Sequence, residues 1–180
     1  MVKGLVFTEF LELVDEQFSF ETCEQIIEMS DLPSGGIYTS VGTYPPQEMA
    51  ALLSNLSEVT GIPPADLLKA FGRHMFKRFV ASFPVFFEGI TSSLEFLPLV
   101  DSYVHIEVQK LYPDAELPTF TCEMTTPGTM VMTYRSRRNL PDFAEGMILE
   151  CIDHFGDPLA VRRERLAGEP PVTVFTISPK

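Results

Sequence analysis

Val104-His105-Ile106-Glu107-Val108-Gln109-Lys110-Leu111-Tyr112, followed by Pro113 and then Pro118, is where this chain changes its period. The stretch reads as a helix that Pro113 brings to an end near Tyr112, and Pro98 puts its regular start near Leu97. After Pro118 the pattern is strand-like: Thr119 to Thr125 and Met130 to Ser136 flank Thr126-Pro127-Gly128-Thr129, a turn sequence. Helices lead up to this junction and strands dominate beyond it, so the expected class is α+β.

Working backward, Val6, Phe7, Phe10, Leu11, Leu13 and Val14 fall at helical spacing with acids between them. Ser19 is placed to cap a second helix carrying Cys23, Ile26, Ile27 and Met29. Leu32 to Tyr44 reads as a loop. Pro46 and Gly61 bracket a third helix, and Pro63-Pro64 opens a fourth that runs toward Phe83 and stops at Pro84. Thr91-Ser92-Ser93 offers caps for the helix bearing His105. Working forward, Pro141 and Gly156 bracket a helix with Phe143, Met147, Ile148 and Cys151 inward. Two strands, about Leu159 to Leu166 and Val172 to Ile177, flank the turn Ala167-Gly168-Glu169-Pro170-Pro171. The expected domain spans 1–180, with a helical part over about 1–83 and a second part over about 91–180.

Composition bounds the function. The chain has 180 residues, 45% hydrophobic and 21% charged, which suits one domain with a substantial core. A formal net charge of -12 argues against nucleic acid as a partner and favours a partner with a basic surface. Cys23, Cys122 and Cys151 are sparse and without a CxxC pair, which fits a reducing compartment and speaks against a cysteine-built zinc site. Neither a signal peptide nor a membrane span is visible, so the expected location is the cytoplasm.

Three features carry chemistry. His105 lies on a helix, where a lone histidine is usually only a tolerated polar residue. Tyr134, Ser136 and Arg138 alternate, so a strand through them would present two hydroxyls and a guanidinium on one face, with Arg135 and Arg137 on the other. Such a face grips carboxylates through charge-assisted hydrogen bonds. A helical imidazole upstream of that cluster is suited to holding a haem. His74, beside Arg73 and Lys77, is expected to face solvent, and His154 sits in a last helical turn, where its charge suits the helix dipole.

The joint pattern is more specific than its parts. His105, Leu111-Tyr112, Pro118 thirteen residues after the histidine, and Tyr134-x-Ser136-x-Arg138 beginning twenty-nine after it resemble the haem nitric oxide/oxygen binding (H-NOX) family. Val2-Lys3-Gly4-Leu5-Val6-Phe7, Ala70-Phe71-Gly72-Arg73 and Phe143-Ala144-Glu145-Gly146 add to the resemblance, which runs along essentially the whole chain. It implies haem b buried between a helical part and an antiparallel sheet with helices. His105 would be the proximal iron ligand, Tyr134, Ser136 and Arg138 the propionate clamp, and Pro118 the residue that presses the haem out of plane. It further implies a cytosolic gas sensor rather than an enzyme. The stand-alone bacterial class, which this chain resembles, signals to a histidine kinase or a cyclic-di-GMP enzyme.

The same resemblance implies which gas. Oxygen-binding relatives place a tyrosine on the helix after the clamp, and the matching residue here is Phe143. The other residues expected over the haem, Val6, Phe10, Met75, Phe79 and Met147, are apolar, so bound oxygen would find no hydrogen-bond donor. Nitric oxide and carbon monoxide are the expected ligands. Nitric oxide would weaken the bond to His105, freeing its helix and letting the haem relax against Pro118. The cysteine-rich zinc site of some relatives is not expected, since Leu140-Pro141-Asp142-Phe143 stands where it would begin. Cys122 reads as a buried, inert thiol near the proximal side. A second reading stands beside the first: a haem-free binding module whose phenylalanines enclose an apolar ligand.

Overall fold

β1 (Val2–Lys3) runs directly into α1 (Gly4–Gln17), and Gly4 is the residue that permits it. A Cβ there would lie 1.9 Å from the carbonyl oxygen of Thr39. That closeness lets loop carbonyls take the first helical N–H groups: Gly4 donates to Gly42 at 2.8 Å and Leu5 to Ser40 at 3.1 Å. Ser19 caps α2 (Phe20–Glu28) by accepting the Thr22 N–H at 3.2 Å. β2 (Thr43–Tyr44) pairs antiparallel with β1, so the expected loop ends in a short strand. α3 (Pro46–Thr60) begins at its proline and ends at Gly61 in the left-handed conformation, φ 70°. α4 (Pro64–Ser82) follows.

The computed structural model describes residues 1–113, 115–169 and 171–180. They divide into two units, Met1–Phe71 and Gly72–Lys180, the boundary falling inside α4. Phe7, Phe10, Val14, Ile26, Leu52 and Leu56 are the innermost side chains of the first unit, with Phe10 edge-on to Phe71 at 5.3 Å. Its loop is anchored by a buried carboxylate: Glu48 accepts the hydroxyls of Ser34 and, at 2.8 Å, Tyr38. Tyr38 also stacks on Phe7, with ring centroids 4.3 Å apart.

Burial pushes the Tyr38 hydroxyl up to about 12, the Ser34 hydrogen bond opposing and the bond to Glu48 adding to the rise. The folded chain therefore holds this proton to higher pH than the unfolded one does. Stability is intact below the unfolded value near 10 and is lost as pH rises through about 12. Urea melts across that window should show wild type losing stability more steeply than Tyr38→Phe; parallel loss would contradict the assignment.

In the second unit, a 3-10 turn over Pro84–Phe87 leads to α5 (Ser93–Phe96), which Ser92 caps. A π-helical turn over Val100–Val104 then leads into α6 (His105–Leu111). The single helix expected from Leu97 to Tyr112 is thus broken. Pro98 has no N–H to continue α5, and the chain re-enters helix with an extra residue, the His105 N–H reaching back to Val100. Beyond it lie β3 (Thr119–Thr126), β4 (Thr129–Arg135), α7 (Pro141–Phe155), β5 (Leu159–Leu166) and β6 (Val172–Pro179). The four strands form one antiparallel sheet in the order β3-β4-β6-β5. Pro170, within the turn expected between β5 and β6, lies outside the described residues.

One face of the sheet is the core face. Met130, Met132 and Tyr134 of β4 and Phe175 and Ile177 of β6 point into it, against Ala144, Ile148, Cys151 and Ile152 of α7. α4 meets α7 backbone to backbone, since a Cβ on Gly72 would lie 2.1 Å from the Phe143 carbonyl oxygen and 3.1 Å from Gly146 Cα. Arg73, next along α4, bonds Glu150 at 2.8 Å and Asp153 at 2.7 Å on α7, which fixes the rotation of one helix on the other. Among the described residues, no helix is long and apolar enough to cross a membrane.

Candidate functional site

His105 opens α6 directly after the π turn, with its side chain 16% exposed. Its ring lies 5.8 Å from Phe120 on β3, and Phe120 lies 5.4 Å from Tyr134 on β4. Desolvation lowers its pKa, partly offset by the Asp101 carboxylate. Burial thus favours the uncharged imidazole, the form that binds a metal. Nδ1 is buried and lacks a hydrogen-bond partner among the described residues; Asp101 Oδ1, at 3.5 Å, is close enough for attraction but beyond bonding length. None of the residues of α6 is buried, so little packing holds this helix down.

Of the three expected clamp residues, Ser136 and Arg138 line one cleft, whereas Tyr134 stays in the sheet core and is not among that cleft's lining residues. Both ladders around β4 end at Arg135, which pairs Thr119 on one side and Val172 on the other. Ser136 therefore has no strand to pair with, and the chain bends away. Tyr134 remains in the sheet, 3% exposed, with its hydroxyl accepting the Leu140 N–H at 3.1 Å. Ser136 Oγ accepts the Arg138 N–H at 3.2 Å, and the Arg138 guanidinium lies 3.5 Å from Glu116.

The bend also overturns the separation expected of the arginines. Arg135, Ser136, Arg137 and Arg138 all line one open cleft of about 420 Å³, together with Glu116 and Gln109. Three guanidiniums against one carboxylate make the cleft suited to an anionic group. Gln109 stands one turn along α6 from His105, so the histidine's helix and the clamp border the same space. Pro118 sits half-buried just before β3, between Leu117 and Thr119, which both line the cleft. An imidazole on a helix that borders a cationic, hydroxyl-bearing cleft fits a haem with its two carboxylates.

Among the residues expected over the haem, Phe79 and Met147 pack against the core of the second unit, Phe79 stacking on Phe86 at 5.4 Å. Met75 and Phe143 are half-buried in the same unit. Val6, half-buried, and Phe10, buried, belong to α1 in the first unit. His74 is half-buried, not solvent-facing as expected. His154 does lie in the last turn of α7, exposed, 5.5 Å from Phe87. Cys122 is half-buried, its thiol 3.9 Å from the Leu97 carbonyl and pushed up to about 11 chiefly by desolvation, in keeping with an inert thiol. Helical spacing puts Asp101 and Gln109 on the His105 face without assigning either a role, and Glu116 is not named by it. The i, i+4 offset between Asp101 and His105 was a usable signal; the cleft places of the other two depend on the chain bend.

Residues 3–163 match the family model described as Haem-NO-binding. The chain is similar to the unliganded Fe(II) H-NOX protein from K. algicida, with a TM-score of 0.91 and 37% identity over 99% of this chain and 97% of that one. It is also similar to the H-NOX from Shewanella woodyi, solved in its Fe(II)CO state with IWP-051 bound: TM-score 0.83 and 35% identity over 99% of this chain and 95% of that one. Against soluble guanylate cyclase gcy-35 of Caenorhabditis elegans it is 24% identical over 165 residues, 89% of this chain. The chain spans about a quarter, 24%, of that protein's length.

Proposed function

The chain belongs to the haem-NO-binding family, and from that premise we propose that it is a haem-based sensor of nitric oxide rather than an enzyme. The observation that carries this reading is that the helix opened by His105 borders the same cationic cleft as Ser136 and Arg138. Haem b, when bound, supplies a ferrous iron with a position open to a diatomic gas. His105 would hold the iron through Nε2, since Nδ1 is buried toward Asp101. Tyr134, Ser136 and Arg138 hold the carboxylates, the two hydroxyls as donors and the guanidinium as the countercharge. Pro118, half-buried between two residues that line the cleft, would pack against the group.

Selectivity follows from what the gas-facing side chains lack. The side chains of Met75, Phe79, Phe143 and Met147 carry no O–H or N–H, so a gas held beside them would meet no hydrogen-bond donor among them, which would favour nitric oxide and carbon monoxide over oxygen. Were the gas to loosen His105's hold on the group, the lightly packed helix that His105 opens would be the element free to move. The reading extends to a cytoplasmic partner, a histidine kinase or a cyclic-di-GMP enzyme, that reads this movement. The single domain of 1–180 is part of the same proposal.

Electronic spectra of the reduced protein test it. A Soret band is expected that shifts with nitric oxide and with carbon monoxide but not in air, and Phe143→Tyr is expected to gain an oxygen spectrum. A stable oxygen complex in wild type would overturn the selectivity, and the absence of any Soret band would favour a haem-free binding module.

A further inference from the structure

The π turn places Asp101 between two residues, Phe120 and His105. Its Oδ1 accepts the backbone N–H of Phe120 on β3 at 3.1 Å. The same oxygen lies 3.5 Å from His105 Nδ1, a buried atom otherwise without a partner. Phe120, whose N–H it holds, is the residue whose ring borders the imidazole. A carboxylate thus sits within about half an ångström of hydrogen-bond length from the one ring nitrogen that a metal would leave unused.

The surroundings differ on the two sides of this contact. Upstream, the segment is fixed: Phe96 and Leu97 are buried, and Ser93 donates from both N and Oγ to Asp157 Oδ2, at 2.7 and 2.6 Å. Downstream, α6 has no buried residue. Asp101 stands at the passage from the held part to the loose part, and its bond to Phe120 is what ties the turn to the sheet.

We propose that Asp101 is a positioning residue for His105, holding the imidazole with its proton on Nδ1 and its lone pair on Nε2, and thereby setting how readily the histidine lets go. The inference rests on the haem-sensor reading above. A carboxylate partner on the unused nitrogen orients a histidine ligand and raises its basicity, and loss of such a partner commonly costs about ten- to a hundredfold in metal binding or activity. Because the same oxygen holds the Phe120 N–H, the histidine and the strand that follows Pro118 share one acceptor. Asp101→Asn keeps an oxygen for Phe120 but removes the charge, which separates the two roles.

The test uses the haem-loaded protein. In Asp101→Asn the iron–histidine stretching band of the ferrous form should move to lower frequency. Release of the histidine after nitric oxide mixing, followed by stopped-flow absorbance, should quicken by about tenfold or more. Nitrogen-15 spectra of the carbon monoxide form of wild type should show the His105 proton on Nδ1, a measurement that needs no variant. A proton absent from Nδ1, or an unmoved band together with a release rate within about twofold of wild type, overturns the proposal while leaving the sensor reading standing. An iron–histidine band that survives His105→Gly would remove the sensor reading and this inference with it.

Discussion

His105→Gly purifies without a Soret band, and imidazole added to the growth medium or buffer restores it. The effect is expected to be large because nothing nearby can substitute. His74 lies on α4 and His154 at the exposed end of α7, held against Phe87 and Phe155, whereas His105 alone belongs to the helix that borders the cationic cleft. Losing the axial ligand should lower haem affinity by at least about a hundredfold, the upper end of what even an outer partner's loss costs. The fold should survive. α6 buries none of its residues, and a glycine at its first position costs no more than about 1 kcal/mol. A circular dichroism melt of the apo-proteins separates ligand loss from unfolding, and a wild-type Soret band in the variant without imidazole would refute the assignment.

Gly72→Val should destabilise the second unit by about 3 kcal/mol or more, lowering Tm by roughly 6–12 °C. Even the first added carbon would sit 2.1 Å from the Phe143 carbonyl oxygen and 3.0 Å from the Met147 nitrogen. Those are backbone atoms inside a helix and cannot swing aside, so α4 and α7 must part. They cannot part cheaply, because Phe76 on one and Ile148, Cys151 and Ile152 on the other belong to a single core, and Arg73 pins both to a fixed rotation. Differential scanning calorimetry reads the change, and a Tm within about 2 °C of wild type would mean that the helices are not in backbone contact.

Both predictions rest on long-range placement, and the contrast with what the sequence disclosed is instructive. Element ends were legible where the signal is local. Ser19 caps α2, Pro46 and Gly61 bracket α3, and Pro141 and Gly156 bracket α7, because a side-chain acceptor, a fixed φ or a left-handed glycine acts within one turn. The α+β order was legible for the same reason, from the change of period after Pro118. The paired ends of β1 and β2 were not, since two residues carry no periodicity and their partners lie about forty positions away. The break before His105 depended on how an extra residue is absorbed after Pro98, and helical periodicity does not register that. The clamp's residue types were legible, but the strand's end at Arg135 was set by where its neighbours run out. Asp101's place on the His105 face was legible from helical spacing, but its second role was not, because that is a bond to a strand nineteen residues on.

The strand order β3-β4-β6-β5 leaves two outer rims, each a row of backbone groups that an additional strand could adopt. The chain closes them by unlike means. Along β5 the run Arg162-Arg163-Glu164-Arg165 is exposed, and a second copy laid alongside would bring guanidiniums against guanidiniums. Along β3 the ladder is irregular between Met124 and Thr126, and the Phe120 N–H is already taken by Asp101 from the π turn. The residue that attends the histidine thus also occupies a hydrogen-bond donor on the open rim. Loss of that bond would return the Phe120 N–H to the open rim, so one carboxylate both faces the histidine and blunts an edge strand.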